Sequence, residues 1–246
     1  MQVASPHLIR PDWPVPARVR ALVTTREGGV SRGPYDSFNL ADHVGDEPSA
    51  VVRNRALLER ELPAKPLWLA QVHGTTVADA GTAQGVPTAD AAVTRTPGAV
   101  LAVLTADCLP VLLAARDASA IGIVHAGWRG LAAGVIEATV GRMRAAPSSL
   151  VAWLGPAIGQ AAFEVGDEVR RAFVDSDPGA AEAFAAGRSG KWHADLYALA
   201  RRRLAAAGVA SVCGGGGCTF TDRERFYSFR RDGRTGRMAS VLWLEA

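Results

Sequence analysis

The sequence predicts an α/β (α+β) fold in which helices cover the faces of a mixed β-sheet. Several apolar runs, such as residues 100–105, lack the alternation of a half-exposed strand, so we expect them to be buried on both faces. Helical segments alternate with these runs along the chain. The chain has 246 residues, of which 48% are hydrophobic, and contains no repeat or linker. This is enough to form a sizeable core, and we predict a single domain over residues 1–246.

The strands are predicted from short apolar runs bounded by glycine, proline or polar residues. In chain order they are residues 19–25, 67–72, 100–105, 111–114, 121–124, 151–154 and 240–244. The helices are predicted from apolar residues at helical spacing. They are residues 49–61, 131–143, 167–173 and 195–207, while the Ala/Gly-rich segment 178–190 is predicted to be a loose surface segment.

Composition excludes several classes of function. Lys and Arg number 27 against 24 Asp and Glu, a net charge of +3 without a strong basic cluster, which argues against nucleic-acid binding. The N-terminus has no basic and apolar export signal, and no run reaches the roughly 18 apolar residues of a membrane helix. Three cysteines, an odd number, argue against a disulfide framework. We therefore expect a cytoplasmic protein without a membrane partner.

Three potential metal ligands stand at the ends of predicted strands. His73 lies in Gln-Val-His-Gly, Cys108 in Thr-Ala-Asp-Cys-Leu-Pro, and His125 in His-Ala-Gly-Trp-Arg-Gly. Each alone is more simply a buried or turn residue, but three at similar positions indicate a metal site. Two imidazoles and a thiolate suit Zn²⁺ with one coordination position open, as in catalytic zinc sites. Copper is a second possibility, although a blue-copper site usually adds an axial methionine, and no methionine adjoins a ligand.

Other polar residues are candidates for catalysis or substrate binding. Asp107, which precedes Cys108, is either a ligand-orienting group, a base or a turn aspartate. His43 is a candidate acid or base. Arg55 and Arg129 are candidates to bind an anion such as phosphate, although an ordinary surface arginine is the commoner role for such a residue.

The motifs together resemble the YfiH-like family, whose members carry a laccase-like polyphenol oxidoreductase label and a purine nucleoside phosphorylase assignment. The matching segments run through almost the whole chain and form a specific combination. They are residues 25–31, 34–40, 43–46, 54–55, 71–74, 105–111, 125–130, 153–159, 163–166, 218–220, 229–233 and 236–240.

The resemblance implies an α/β sandwich with Zn²⁺ held by His73, Cys108 and His125. It implies phosphorolysis of adenosine, inosine and methylthioadenosine, with deamination of adenosine as a further activity. Purine nucleosides and phosphate would then be the small-molecule partners of a monomer or homodimer. Arg26 and Asn39, which lie in matching segments, join Arg55 and Arg129 as candidates for binding substrate or phosphate.

Three alternatives remain open at this point. Cys108 could be the nucleophile of a cysteine hydrolase acting in peptidoglycan editing, with a histidine as base and Asp107 or another acid as orienter. A copper-dependent polyphenol oxidase, or laccase, would need bound copper, and five histidines are too few for the usual multicopper plan. A non-enzymatic binding protein would not require polar motifs at strand ends.

Overall fold

The structure is a computed structural model that describes residues 6–188 and 190–246. Residues 1–5, on which the expected lack of an export signal partly depends, lie outside the described residues. Among the helices of the described ranges, none is long and apolar enough to cross a membrane.

Strands and short helices alternate along the described chain. The strands are β1 (Leu8–Ile9), β2 (Val19–Thr24), β3 (Pro66–Leu67), β4 (Val77–Asp79), β5 (Ala91–Thr94), β6 (Val100–Thr105), β7 (Leu109–Ala115), β8 (Ile121–Ala126), β9 (Leu150–Leu154), β10 (Glu164–Gly166), β11 (Phe184–Ala186), β12 (Lys191–Ala194), β13 (Ser211–Gly214) and β14 (Met238–Leu244). The α-helices are α1 (Pro48–Glu59), α2 (Trp128–Ala133), α3 (Val135–Met143), α4 (Asp167–Val174), α5 (Leu196–Ala206) and α6 (Phe229–Asp232). Short 3₁₀ helices cover Gly33–Tyr35, Pro147–Ser149, Gln160–Ala162 and Pro178–Ala183.

The strands form two large mixed sheets and one small sheet. The five-stranded sheet has the order β1-β2-β14-β6-β3, and the six-stranded sheet has the order β13-β9-β7-β8-β5-β4. Strands β10, β12 and β11 form the small antiparallel sheet. The predicted α/β fold with a mixed sheet is therefore confirmed, with the strands divided among several sheets.

The two large sheets pack face to face between layers of helices. In β6, Leu101 and Val103 belong to the core between the sheets, whereas Ala102 and Leu104 belong to the core beneath α1. All six residues of β6 are buried, which confirms that this strand has no exposed face. On the far side, α3 and α5 cover the six-stranded sheet. The result is a four-layer sandwich in the order helix, sheet, sheet, helices.

Most predicted elements shift by one or two residues at an end, and two of them differ more. The helix predicted over residues 131–143 begins earlier, at Trp128, and is divided into α2 and α3 at Gly134. Gly134 has φ of +97°, a left-handed conformation that glycine adopts without a Cβ penalty. The strand predicted over residues 67–72 ends at Leu67. Beyond it, the Ala70 N–H donates to the Pro87 carbonyl, and the N–H groups of Val72 and His73 donate to a buried carboxylate described below.

The segment 178–190 is not loose over its described residues. Ala180 and Ala183 of its 3₁₀ helix are buried, and Phe184 begins β11, which pairs with β12. This 3₁₀ helix lies against α4 and α5. Alanine richness here reflects close packing, which composition alone does not distinguish from a surface loop.

Candidate metal centre

Cys108 lies where the chain passes from one large sheet to the other. Strand β6 belongs to the five-stranded sheet and β7 to the six-stranded sheet, and the connection between them is residues 106–108. Asp107 adopts φ of +95° in this tight connection. The crossing brings Cys108 to the edge of the sandwich, where a side chain can reach a cavity.

His73 follows β3 in a loop that a buried carboxylate organises. The Asp90 carboxylate accepts hydrogen bonds from the backbone N–H groups of Val72 at 3.2 Å, His73 at 2.9 Å and Gly74 at 2.6 Å. His73 has φ of +61°, a left-handed conformation that is uncommon for a residue with a side chain. Three hydrogen bonds to one carboxylate hold the backbone in this conformation.

His125 occupies β8, opposite Pro110 of β7. Its Nδ1 atom lies 2.8 Å from Oδ1 of Asp90, and both side chains are buried. Since a carboxylate only accepts hydrogen bonds, Nδ1 carries the proton and Nε2 is left as the metal-binding nitrogen. Asp90 therefore fixes the tautomer of His125 as well as the loop of His73.

The three candidate ligands meet at one point. Their donor atoms all lie within 4.8 Å of one another, and Cys108 Sγ is 3.7 Å from His73 Nε2. Tetrahedral zinc with ordinary Zn–S and Zn–N bonds places such a pair about 3.6 Å apart. Two imidazoles and a thiol at this spacing fit a zinc ion bound by three protein ligands.

A glycine makes room for this cluster. A Cβ atom on Gly127 would lie 2.6 Å from His73 Cδ2 and 3.2 Å from Cys108 Sγ. The first distance is too short for carbon atoms, which pack at roughly 3.5–4.0 Å. Gly127 lets the start of α2 approach the three ligands.

Before a metal binds, the electrostatics of the cluster favour a Cys108 thiolate paired with a His125 imidazolium, which gives up its Nε2 proton when it becomes a ligand. Burial raises the pKa of Cys108, but the charge of His125 and hydrogen bonds from both imidazoles outweigh burial and lower it to about 6. Burial lowers the pKa of His125, but the Cys108 thiolate and Asp90 raise it to about 9. Burial also raises the pKa of Asp90, yet the hydrogen bonds from His125 and Gly74 bring it below its ordinary value. Cys108 is thus a thiolate near neutral pH, the form that binds metal.

Two cavities adjoin Cys108. The larger, about 420 Å³, is lined by His43, Gln71, His73, Leu104, Thr105, Ala106, Cys108, His125, Trp128, Arg129, Phe229 and Arg237. This lining contains two arginines and three histidines but no Asp or Glu. The smaller recess, about 130 Å³, is mostly apolar and is lined by Ala106, Asp107, Cys108, Trp128, Ile158, Phe163, Leu196, Phe229 and Arg230. A cavity that contains two arginines and a smaller apolar recess therefore meet at the cysteine.

Of the other predicted site residues, His43 and Arg129 line the larger cavity. His43 is exposed, with Nδ1 3.4 Å from Asp42 Oδ1, and the Arg129 guanidinium lies over the Trp128 ring at 4.5 Å. Asp107 is buried, and its two oxygens accept hydrogen bonds from the Thr219 hydroxyl at 2.6 Å and the Arg230 backbone N–H at 2.7 Å. Asp107 thus ties distant segments to the crossing between the sheets.

Three predicted residues line neither cavity. Arg26 donates to the backbone carbonyls of Asp36 and Arg223. Arg55 donates to the Leu40 carbonyl, pairs with Asp42 at 3.2 Å and stacks on Trp68. Asn39 is fully buried and hydrogen-bonds the backbone around it. In the structure, these three side chains stabilise loops.

Sequence reasoning missed two residues of the centre, Asp90 and Arg237. Asp90 is an isolated charge inside the apolar run 89–93, a pattern that signals a buried functional or structural carboxylate. Arg237 lies directly before β14 in the matching segment 236–240, but several other arginines also lie in matching segments, so the motif does not single it out. Only the strand order brings the start of β14 beside the end of β6, with Met238 opposite Thr105.

These features define a class: an α/β sandwich protein with a His-Cys-His centre where its two large sheets are joined. A family model described as multi-copper polyphenol oxidoreductase laccase matches residues 20–245. The chain belongs to this YfiH-like family.

Several relatives match over nearly their full length. The chain is 54% identical over 238 residues to a protein of Pseudomonas aeruginosa named purine nucleoside phosphorylase, covering 96% of this chain and 98% of that one. It is 52% identical over 240 residues, with the same coverage, to the Escherichia coli protein named purine nucleoside phosphorylase YfiH. A crystal structure of a Neisseria meningitidis protein superposes with a TM-score of 0.95 at 51% identity, covering 97% of this chain and 99% of that one. YlmD of Geobacillus stearothermophilus gives 0.85 at 34% identity, covering 94% and 93%.

Proposed function

We propose that this protein is a zinc-dependent purine nucleoside phosphorylase that acts on adenosine, inosine and methylthioadenosine and also deaminates adenosine. The observation that carries the proposal is the His73, Cys108 and His125 cluster, which opens into a cavity that also contains two arginines and no carboxylate. The names of the relatives support the same reaction class.

His73, Cys108 and His125 are the residues that would hold the zinc ion. A zinc ion with an open coordination position polarises a substrate oxygen or lowers the pKa of a bound water. Asp90 keeps His125 in the required tautomer and holds the His73 loop. Such partners behind the ligands commonly contribute 10–100-fold in metal affinity or activity, a rough range from other metal sites.

In phosphorolysis, a phosphate oxygen forms a bond to the ribose anomeric carbon as the bond to the purine nitrogen breaks. The products are ribose 1-phosphate and the free base, which takes up a proton. The cavity containing Arg129 suits the phosphate, because guanidinium groups neutralise its charge. His43, exposed at the same cavity, is our candidate for the group that supplies the proton.

The purine ring fits the smaller, apolar recess. Ile158, Phe163 and Leu196 line it, and Phe229, with 58% of its surface exposed, stands at the border between recess and cavity. An exposed aromatic ring at this position is available for stacking on a base. In deamination, water would replace the six-amino group of the same ring and release ammonia.

The test is chromatography of products after incubation of purified protein with adenosine, with and without phosphate. Adenine that appears only with phosphate supports phosphorolysis, and inosine in both samples supports deamination. Metal-replete protein that forms neither product from any of the three nucleosides contradicts the proposal.

A cysteine hydrolase is the second candidate, because His125 lies between Cys108 and Asp90 and hydrogen-bonds both, as in a catalytic triad of thiol, imidazole and carboxylate. The orienting acid would be Asp90, not Asp107, whose oxygens hold Thr219 and Arg230. Rapid labelling of Cys108 by iodoacetamide in metal-replete protein, together with a covalent adduct of a peptidoglycan-type amide substrate, would favour the hydrolase. Labelling only after metal removal would count against it.

The family model's description keeps a copper oxidase as a third candidate. Across residues 6–188 and 190–246, the His73, Cys108 and His125 cluster is the one group of at least three close potential ligands. One three-ligand group cannot hold the several copper ions of a multicopper oxidase. Bound copper with oxygen uptake on phenols would support this candidate, and bound zinc without oxygen uptake would eliminate it.

A further inference from the structure

We propose that Arg237 is the phosphate anchor of the larger cavity, an inference that rests on the proposed phosphorylase function and assigns its anion site. From the sequence, the candidates for binding substrate or phosphate are Arg26, Asn39, Arg55 and Arg129. The structure favours a guanidinium outside that set, at the start of the last strand.

The backbone and stem of Arg237 are fixed. Its backbone N–H donates to Asn39 Oδ1 at 2.9 Å, and its Nη1 donates to the carbonyls of Thr235 at 2.8 Å and Gly236 at 3.0 Å. The guanidinium lies 5.7 Å from the centre of the Phe229 ring. A positioned guanidinium loses less conformational entropy on binding an anion than a free surface side chain does.

The remaining donors of Arg237 meet no acceptor among the residues that the structure describes. Within the described part of the chain, Nε and Nη2 form no hydrogen bond, and the side chain takes part in no ion pair. By contrast, Arg55 pairs with Asp42, and Arg202 forms a two-point pair with Asp177. Arg237 is half-buried and forms no ion pair within the described residues, so it can gain from an anion that enters the cavity from outside.

The surroundings of Arg237 select the kind of anion. The cavity it lines also presents Arg129 and His43 and contains no carboxylate. Nε and Nη2 form one edge of a planar guanidinium, which matches two oxygens of a tetrahedral oxyanion. Burial lowers the pKa of Arg237, and the negative charges of Cys108 and Asp107 raise it in part. A bound phosphate would raise it further and so favour the charged guanidinium. Inorganic phosphate is the ligand with this chemistry that phosphorolysis consumes.

The test is calorimetric titration of inorganic phosphate into the full-length protein, at constant ionic strength set with chloride. Arg237→Met removes the charge and keeps an apolar stem, and Arg237→Lys keeps the charge but loses the planar edge. Arg230→Met is the matched control, because its guanidinium borders the recess on the other side of Cys108 and donates to the Glu164 carbonyl. Phosphate is titrated into each protein twice, once with zinc bound and once after a chelator has removed the metal. The comparison distinguishes phosphate bound to the protein from phosphate bound to the metal.

We expect Arg237→Met to weaken phosphate binding at least tenfold in both metal states, Arg237→Lys to give an intermediate loss, and Arg230→Met to match the unmodified protein. If Arg237→Met does not fold, the inference is still supported when Arg237→Lys binds phosphate more weakly and Arg230→Met binds it as the unmodified protein does. Unchanged affinity in both Arg237 variants, an equal loss in Arg230→Met, or no phosphate binding without metal overturns it. Because the titration requires no turnover, its result is independent of whether nucleosides are cleaved.

Discussion

A single carboxylate oxygen, Oδ1 of Asp90, accepts two hydrogen bonds, one from Nδ1 of His125 at 2.8 Å and one from the backbone N–H of His73 at 2.9 Å. Asp90 is fully buried directly before β5, and its other oxygen accepts from Val72 and Gly74. Two candidate ligands from different parts of the chain are therefore positioned by one side chain. The spacing of the histidines depends on a residue that is not itself a ligand.

Replacing Asp90 by Asn should weaken zinc binding by about 10–100-fold, since an amide has a single acceptor oxygen and fixes the imidazole less well. Competition with a chromophoric chelator measures this affinity. Asp46→Asn is the matched control, because Asp46 accepts hydrogen bonds from Ser31 and Asn39 outside both cavities. Equal zinc affinity in the Asp90 and Asp46 variants would show that Asp90 does not position the ligands.

Replacing Cys108 by Ser should reduce bound zinc from about one ion per chain to a small fraction, because the site loses its thiolate. Nucleoside cleavage should fall with it. Elemental analysis and the product assay, made on the same preparation, check both. Cys218→Ser is the control, since the sulfur of Cys218 accepts a hydrogen bond from the Gly159 N–H outside both cavities. Full activity of Cys108→Ser without bound metal would contradict the proposed function.

The pH dependence of cysteine labelling should report the ionised pair. Cys108 has its pKa lowered to about 6, so in metal-free protein it is a thiolate above that pH and a thiol below it. Its alkylation by iodoacetamide should therefore rise as pH increases through about 6, whereas alkylation of an unperturbed thiol rises near about 8.5. Mass spectrometry of the Cys108 peptide and of glutathione added to the same sample gives the comparison. If both are alkylated over the same pH range, Cys108 is not held as a thiolate by His125.

Adding one methyl group at Gly127 should disturb the metal site more than the fold. A Cβ there would lie 2.6 Å from His73 Cδ2, so Gly127→Ala must displace the imidazole and lower zinc affinity. Gly141→Ala is the control, because a Cβ at that position in α3 meets no atom within 4 Å. The control should keep its zinc affinity and gain up to about 1 kcal/mol in stability from helix propensity. Chelator competition and thermal melting separate the two effects, and equal zinc affinity in both variants would refute the steric argument.

The strands with continuous apolar runs were predictable from sequence, because burial on both faces leaves a local signal. Strands β6, β7, β8, β9 and β14 lie where those runs predicted them. Strand β5 carried a weaker signal, since its residues 91–94 are short and alanine-rich. The small strands β10, β11 and β12 depend on pairing with one another, which no local pattern shows.

The metal ligands of the candidate site were also predictable from sequence, whereas its arginines were not. His73, Cys108 and His125 were recognisable because each lies in a polar motif at a strand end, and the structure brings their donor atoms within 4.8 Å of one another. The choice among arginines was not predictable, because it depends on which carbonyls and carboxylates each guanidinium meets in the folded chain. Arg26 and Arg55 meet such acceptors outside the cavities, whereas Arg129 and Arg237 line the larger one.

The position of Cys108 directly before a hairpin sets an order of events in folding. Strand β7 begins after Cys108 and pairs with β8, the strand of His125, so this hairpin alone brings Cys108 beside His125. His73 is 35 residues from Cys108 and is held through Asp90, which lies beside His125 only when β5 has paired with β8. A chain in which β5 is still unpaired therefore has two of the three donors in place, and the complete site forms when that pairing closes the loop.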